Sequence, residues 1–171
     1  MGHVYLVGMM GSGKSVTGKK LAELTARGFV DLDERIEARN AMAISTIFET
    51  RGEAFFRGLE SSALADCAHE TEPLVVATGG GIILRPENVE LMSRTGTAVY
   101  LETSAGVLWA RVRGDERRPL LKVADPCSKL EEILAARRSL YENSCRFRVK
   151  TDSKTAEAVA REILRELGGA S

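Results

Sequence analysis

The eight residues Gly8-Met9-Met10-Gly11-Ser12-Gly13-Lys14-Ser15 constrain this chain more than any other stretch. They fit the pattern G-x-x-x-x-G-K-[ST], directly after a short apolar run at residues 3–7 and directly before a helical pattern. Glycines at this spacing let backbone N–H groups turn inward around an anion, and the helix N-terminus behind them adds a favourable dipole. Lys14 is then placed to reach the β- and γ-phosphates of a nucleoside triphosphate, and the Ser15 hydroxyl to face a Mg2+ ion. Gly11, Ser12, Gly13, Lys14, Ser15 and Val16 are the nucleotide-contact candidates.

Four further apolar runs, at residues 29–30, 74–77, 97–101 and 147–149, are rich in β-branched or aromatic residues and read as strands. Amphipathic stretches separate them. Val159, Ile163, Leu164 and Leu167 share one helical face, with Gly168 placed to stop that helix. Ser128-Lys129-Leu130-Glu131 has the form of a capping box, and Pro86 suits a first helical position. Five strands with helices between them predict an α/β fold, a parallel sheet wrapped on both faces, in one domain spanning residues 1–171. Ligands in such sheets bind beyond the carboxyl ends of the strands.

Lys plus Arg and Asp plus Glu are both 24, so no global field draws the chain to nucleic acid or to an acidic membrane. No apolar run approaches the roughly 20 residues that span a bilayer, and no signal-peptide pattern opens the chain. Cys67, Cys127 and Cys145 match neither a disulfide framework nor a zinc pair, which points to reduced thiols in a cytoplasmic protein. His3 and His69 have no partner at metal-ligand spacing.

The remaining candidates follow the strands. The run at residues 74–77 ends in Thr78-Gly79-Gly80-Gly81, where motor and transport ATPases carry a metal-binding Asp. A carboxylate for the metal must therefore come from elsewhere. Asp31-Leu32-Asp33 ends the second predicted strand, and alternation aims both carboxylates at the ligand edge. Asp31 is then a carboxylate just outside the direct ligands of Mg2+ and Asp33 the group that orients or deprotonates an acceptor hydroxyl; alternatively, Asp33 caps the helix that contains Ile36. Arg57 and Glu60 lie about one helical turn apart, so the carboxylate can fix a guanidinium that binds a substrate carboxylate in two-pronged fashion. Residues 111–126 are the least regular stretch and carry Arg111, Arg113, Arg117 and Arg118 around Gly114. The size of the chain and the absence of an N/T-K-x-D segment favour a small-molecule kinase over a GTPase.

In combination these residues resemble the shikimate kinases over nearly the whole chain. The matching pieces are the phosphate loop, Asp31-x-Asp33, Phe56-Arg57-x-x-Glu60, Gly79-Gly80-Gly81, Arg118-Pro119-Leu120-Leu121 and Arg138-x-x-Tyr141. The resemblance implies ATP-dependent phosphorylation of the 3-hydroxyl of shikimate, in the pathway to chorismate and the aromatic amino acids. It also implies a three-layer P-loop kinase fold like that of nucleoside-monophosphate kinases, with strand order 2-3-1-4-5, in a cytoplasmic monomer using one Mg2+. Carried over by position, Lys14, Asp33 and Arg118 are catalytic, Ser15 and Asp31 face the metal, and Arg57 and Arg138 clamp the shikimate carboxylate. Gly79, Gly80 and Gly81 line the shikimate pocket, and Arg111 and Lys154 lie toward the adenine. The implied parts are a core at residues 1–110 and 127–171, a lid at about 111–126 and a shikimate-binding helical region at about 33–61. The chain departs from the family at Val16, where Thr is usual, and near Lys154, where relatives often carry arginine.

Overall fold

The structure is a computed structural model that describes residues 2–115 and 118–169. Five parallel strands form one sheet in the order β2-β3-β1-β4-β5: β1 His3–Val7, β2 Gly28–Asp31, β3 Leu74–Ala77, β4 Gly96–Glu102 and β5 Phe147–Lys150. All five residues of β1 are buried, as an uninterrupted apolar strand covered on both faces must be. Tyr5 pairs with Val76 on one side and Ala98 on the other, which sets β1 at the centre.

The pleat of β1 divides its side chains between two cores. Val4 and Leu6 pack with Leu21, Val99, Val159 and Ile163 beneath α1 (Lys14–Thr25) and α8 (Ala156–Gly168). Tyr5 and Val7 enter the larger core on the opposite face, with Leu32, Leu64, Met92, Leu108 and Tyr141. That core is covered by α2 (Leu32–Asn40), α3 (Ile44–Arg51), α4 (Glu53–Ala68), α5 (Pro86–Thr95), α6 (Ala105–Val112) and α7 (Pro126–Ser144). His3 has a structural task, its Nδ1 accepting from the Leu74 N–H at 3.1 Å.

The strand reading holds with small extensions, while several boundaries differ from expectation. β2 ends at Asp31 and α2 starts at Leu32, so Asp33 lies in the first turn of a helix rather than on a strand. Asp31 is the cap: its Oδ1 accepts from the N–H groups of Asp33 and Glu34 at 3.0 and 3.4 Å. Likewise Asp125, not Ser128, caps α7, and it accepts from both the N–H and the hydroxyl of Ser128. Gly168 is the last residue of α8 and Gly169 follows it as the cap. The stretch read as irregular begins inside α6, which includes Arg111, and holds a 3-10 turn at Pro119–Leu121.

Helices α1 and α2 end on alanines in the left-handed region, Ala26 at φ 52° and Ala41 at φ 48°. That conformation costs an L-residue roughly 1–2 kcal/mol and glycine almost nothing. Ala41→Gly should therefore stabilise the chain by roughly 0.5–1 kcal/mol after the added flexibility of the unfolded glycine is subtracted. A urea midpoint that stays level or falls would show that Ala41 is not held in that conformation in solution.

Candidate active site

The loop after β1 places its glycines as the anion-cradle argument requires. Gly11 and Gly13 have φ of 80° and 90°, and a Cβ on Gly11 would also press into Val112 Cγ1 at 2.6 Å. Helix α1 starts without any side-chain cap, so its first N–H groups remain directed at whatever the loop encloses. Lys14 folds back over the loop and donates to the carbonyls of Gly8 and Met9 at 2.8 and 2.9 Å. Burial lowers its pKa to about 8, against the opposing pull of the Asp33 charge.

Ser15 donates to Asp31 Oδ2 at 2.5 Å. One carboxylate thus serves two elements: Oδ1 caps α2 and Oδ2 meets the first turn of α1. Because Asp31 does the capping, Asp33 is released to face the site. Its Oδ1 is buried without a hydrogen-bond partner, and burial, reinforced by the neighbouring Asp31 charge, raises its pKa. Among the described residues, no group of three or more His, Cys, Asp or Glu side chains is placed to hold a metal.

Beyond Asp33 the glycine run meets a charged cluster. Arg57 and Glu60, three residues apart on α4, form a buried ion pair between Nη1 and Oε2. The second oxygen, Glu60 Oε1, is buried without a partner, and burial raises the Glu60 pKa even with the Arg57 charge beside it. Phe56 supports the guanidinium from 5.3 Å, whereas its neighbour Phe55 is exposed under Arg51. A Cβ on Gly79 would collide with Glu60 Oε1 and lie 3.2 Å from Asp33 Oδ1, and one on Gly81 would strike the Arg57 guanidinium. The glycines are therefore required by the charged groups packed against them, not by a turn.

Arg137, and not Arg138, belongs to this cluster. Arg137 is buried and its Nη1 donates to the Gly80 carbonyl at 3.3 Å, while Arg138 is exposed. Tyr141, one turn later, donates to the same carbonyl and stacks on Tyr100 at 5.1 Å. The register error is physical. Leu130, Ile133, Leu134 and Tyr141 trace the buried stripe of α7, and helical spacing puts residue 137 on it and residue 138 outside. Glu53 is a second residue that sequence reading passed over. Its Oε1 accepts from Arg57 Nε and Nη2 at 3.2 and 2.8 Å, an i to i+4 pair within α4.

The phosphate loop and the paired aspartates open into one cleft of about 570 Å3, behind which the Arg57–Glu60 cluster lies. The loop residues, Val16, Asp31, Asp33 and Thr78 line it, together with Arg111, Arg118, Thr151 and Lys154. Arg118 pairs with Asp115 at 3.1 Å, near enough to Lys14 and Asp33 for its charge to bear on both. Arg111 donates to the Gly11 carbonyl at 3.0 Å. Lys154 is tied to Glu162 at 2.6 Å, so its ammonium is partnered within α8's own neighbourhood. Arg117 lies outside the described residues.

Two outcomes follow from this geometry. Gly79→Ala should remove acceptor binding while ATP affinity stays within about twofold of wild type, because only the carboxylate side is obstructed. Equal loss of both would place the damage in the fold. Separately, ATP binds best to charged Lys14, so affinity measured by calorimetry should fall as pH rises through about 8. Lys14→Gln should flatten that profile, and an unchanged slope would remove Lys14 from phosphate recognition.

Known proteins share this chain's sequence and fold over nearly its whole length. The family model described as shikimate kinase matches residues 10–168. A shikimate kinase of Burkholderia pseudomallei is 41% identical over 165 residues, covering 96% of this chain and 89% of that protein. The solved shikimate kinase from Acinetobacter baumannii in complex with shikimate superposes with a TM-score of 0.97 at 37% identity, covering 100% of this chain and 95% of that one. A gluconokinase from Sinorhizobium meliloti, at 19% identity and a TM-score of 0.61, covers 99% of this chain and 93% of its own and shares the fold alone. With its phosphate loop, paired aspartates and glycine-backed arginine in one ordered site, this chain belongs to the shikimate kinase family.

Proposed function

We infer that the chain transfers the γ-phosphoryl group of ATP to the 3-hydroxyl of shikimate, giving shikimate 3-phosphate and ADP. The observation that carries this reading is the continuity of the phosphate-loop cleft with Asp33, behind which Arg57, Glu60 and the glycine run are packed together. Phosphoryl transfer asks a protein mainly for alignment and charge stabilisation. Lys14 and Arg118 act on the transferring phosphoryl group from two sides. Asp33 holds the acceptor hydroxyl in line and takes its proton at a carboxylate oxygen. Its raised pKa suits that exchange, since burial has already weakened its preference for the charged form.

Arg57 and Arg137 are the cations assigned to the acceptor's carboxylate, and Gly79, Gly80 and Gly81 form the wall against which the ring rests. Gly80 is fixed from behind by Arg137 and Tyr141. Arg111 and Lys154 stand at the adenine end. Residues 111–126 act as a lid that closes over bound ligand and excludes water, and residues 33–61 form the acceptor-binding region. Ser15 and Asp31 fit Mg2+, because a hydroxyl and a carboxylate oxygen already meet under the loop and hard oxygen donors suit that ion. When bound, Mg2+ supplies charge neutralisation on the phosphates. The balanced charge suits small-molecule substrates rather than nucleic acid or membrane, and free cysteines suit a cytoplasmic protein; the monomeric state rests on the resemblance alone. No helix among the described residues is long and apolar enough to cross a membrane.

ADP release should be measured with ATP and Mg2+ in the presence of shikimate, gluconate, AMP or no acceptor. Shikimate alone should give strong turnover. Asp33→Asn should lower kcat by about 10²- to 10⁴-fold and leave shikimate affinity within about tenfold. Comparable turnover with gluconate or AMP would assign the chain a different acceptor. Silence with every acceptor, despite ATP binding, would make it a nucleotide-binding protein without transfer chemistry.

A further inference from the structure

Arg57 is held by two carboxylates of its own chain, and they are unequal. Glu60 meets Nη1 from a side chain only 1% exposed, packed against the α-carbon of Gly79. It has nowhere to go. Glu53 opens helix α4 with a side chain 46% exposed, and it spans Nε and Nη2 with the single oxygen Oε1. The Nε–Nη2 edge of a guanidinium is matched best by two parallel carboxylate oxygens, so Glu53 satisfies that edge incompletely. A rotation about its own side-chain bonds would return Glu53 to water.

Charge counting sharpens the difference. Glu53 and Glu60 already place two anions on one cation, and a substrate carboxylate added to Arg57 as a third would be repelled by both. Exchange avoids that repulsion. If the incoming carboxylate takes the edge that Glu53 holds, the anions on Arg57 stay the same in number and the poorer hydrogen-bond geometry is replaced by the better one.

We propose that Glu53 is a placeholder on the acceptor-binding arginine, displaced one carboxylate for another when the acceptor docks. The proposal rests on the assignment of Arg57 to the acceptor's carboxylate made above. Before docking, Glu53 keeps the guanidinium extended against Gly81; at docking it competes, so affinity is given up for selectivity. An acceptor without a carboxylate leaves Glu53 in place. Glu53 is thus a positioning and specificity residue and does not touch the reacting atoms.

The test compares wild type, Glu53→Ala and Glu53→Gln with shikimate and with its carboxyl methyl ester, recording kcat, both KM values and shikimate binding by calorimetry. Competition by a half-exposed carboxylate should be worth about two- to fivefold, so Glu53→Ala should lower the shikimate KM and Kd by that factor. The ATP KM should not move, Glu53→Gln should show a smaller gain, and the methyl ester should show none. A higher shikimate KM would overturn the proposal by making Glu53 a support that Arg57 needs for binding. An unchanged KM and Kd would make it a solvated surface pair, and an equal gain for the methyl ester would show that no carboxylate exchange is involved. A chain that binds shikimate but does not phosphorylate it would fail the functional reading, while the calorimetric comparison would still decide the exchange.

Discussion

Charge of both signs is gathered at the carboxyl edge of a single sheet, and the surrounding structure is arranged to make that tolerable. Asp31, Asp33, Glu53 and Glu60 face Lys14, Arg57, Arg118 and Arg137 across a small volume. Removing such groups from water costs several kcal/mol each unless partners and hydrogen bonds replace the lost solvation. The structure replaces it unevenly. Asp31 is fully engaged by a cap and a hydroxyl, whereas one oxygen each of Asp33 and Glu60 is left without a partner. Those two oxygens converge on Gly79, which is where an acceptor would complete the set. The site is stable enough to persist and unsatisfied enough to bind.

Much of this was legible in the sequence because the decisive signals are local. A phosphate loop is eight consecutive residues with fixed backbone demands, and it places β1, α1 and the ligand edge together. The strands β1 and β3 were readable to the residue, since a strand covered on both faces is a nearly unbroken apolar run, here bounded by Gly2 and Gly8 or by Pro73 and Thr78. The sheet order, by contrast, was available only through the resemblance. Nothing in the periodicity of β2 or β5 says on which side of β1 it pairs.

The errors share a cause as well. Asp33 was read on a strand because alternation was extended two residues too far; the side chain of Asp31 had already closed the strand and opened a helix. Arg138 was chosen over Arg137 by motif spacing, although the buried stripe of α7 favours the earlier residue. Lys154 was expected at the adenine end and lines the cleft, yet its charge is committed to Glu162, a partner eight residues away that no motif includes. Glu53 escaped notice because an i to i+4 ion pair on a helix is usually an exposed ornament of the surface. Only the burial of Arg57 distinguishes this one. Local chemistry was readable, and the choice between neighbouring residues was decided by packing.

Helix α7 has a mechanical meaning that its sequence does not announce. It begins at Pro126, at the end of the arginine-bearing stretch, and near its other end Arg137 and Tyr141 grip the carbonyl of Gly80. Nineteen residues of helix make a strut about 28 Å long. Its fixed end is stacked on β4 through Tyr100 and cannot shift without dragging the glycine wall with it. Displacement of the stretch before Pro126 therefore has two ways to be absorbed: by bending in the few residues that precede the helix, or by moving the glycine run whose carbonyl the helix holds. The stiffness of a single helix sets how far movement just before Pro126 is felt at Gly80.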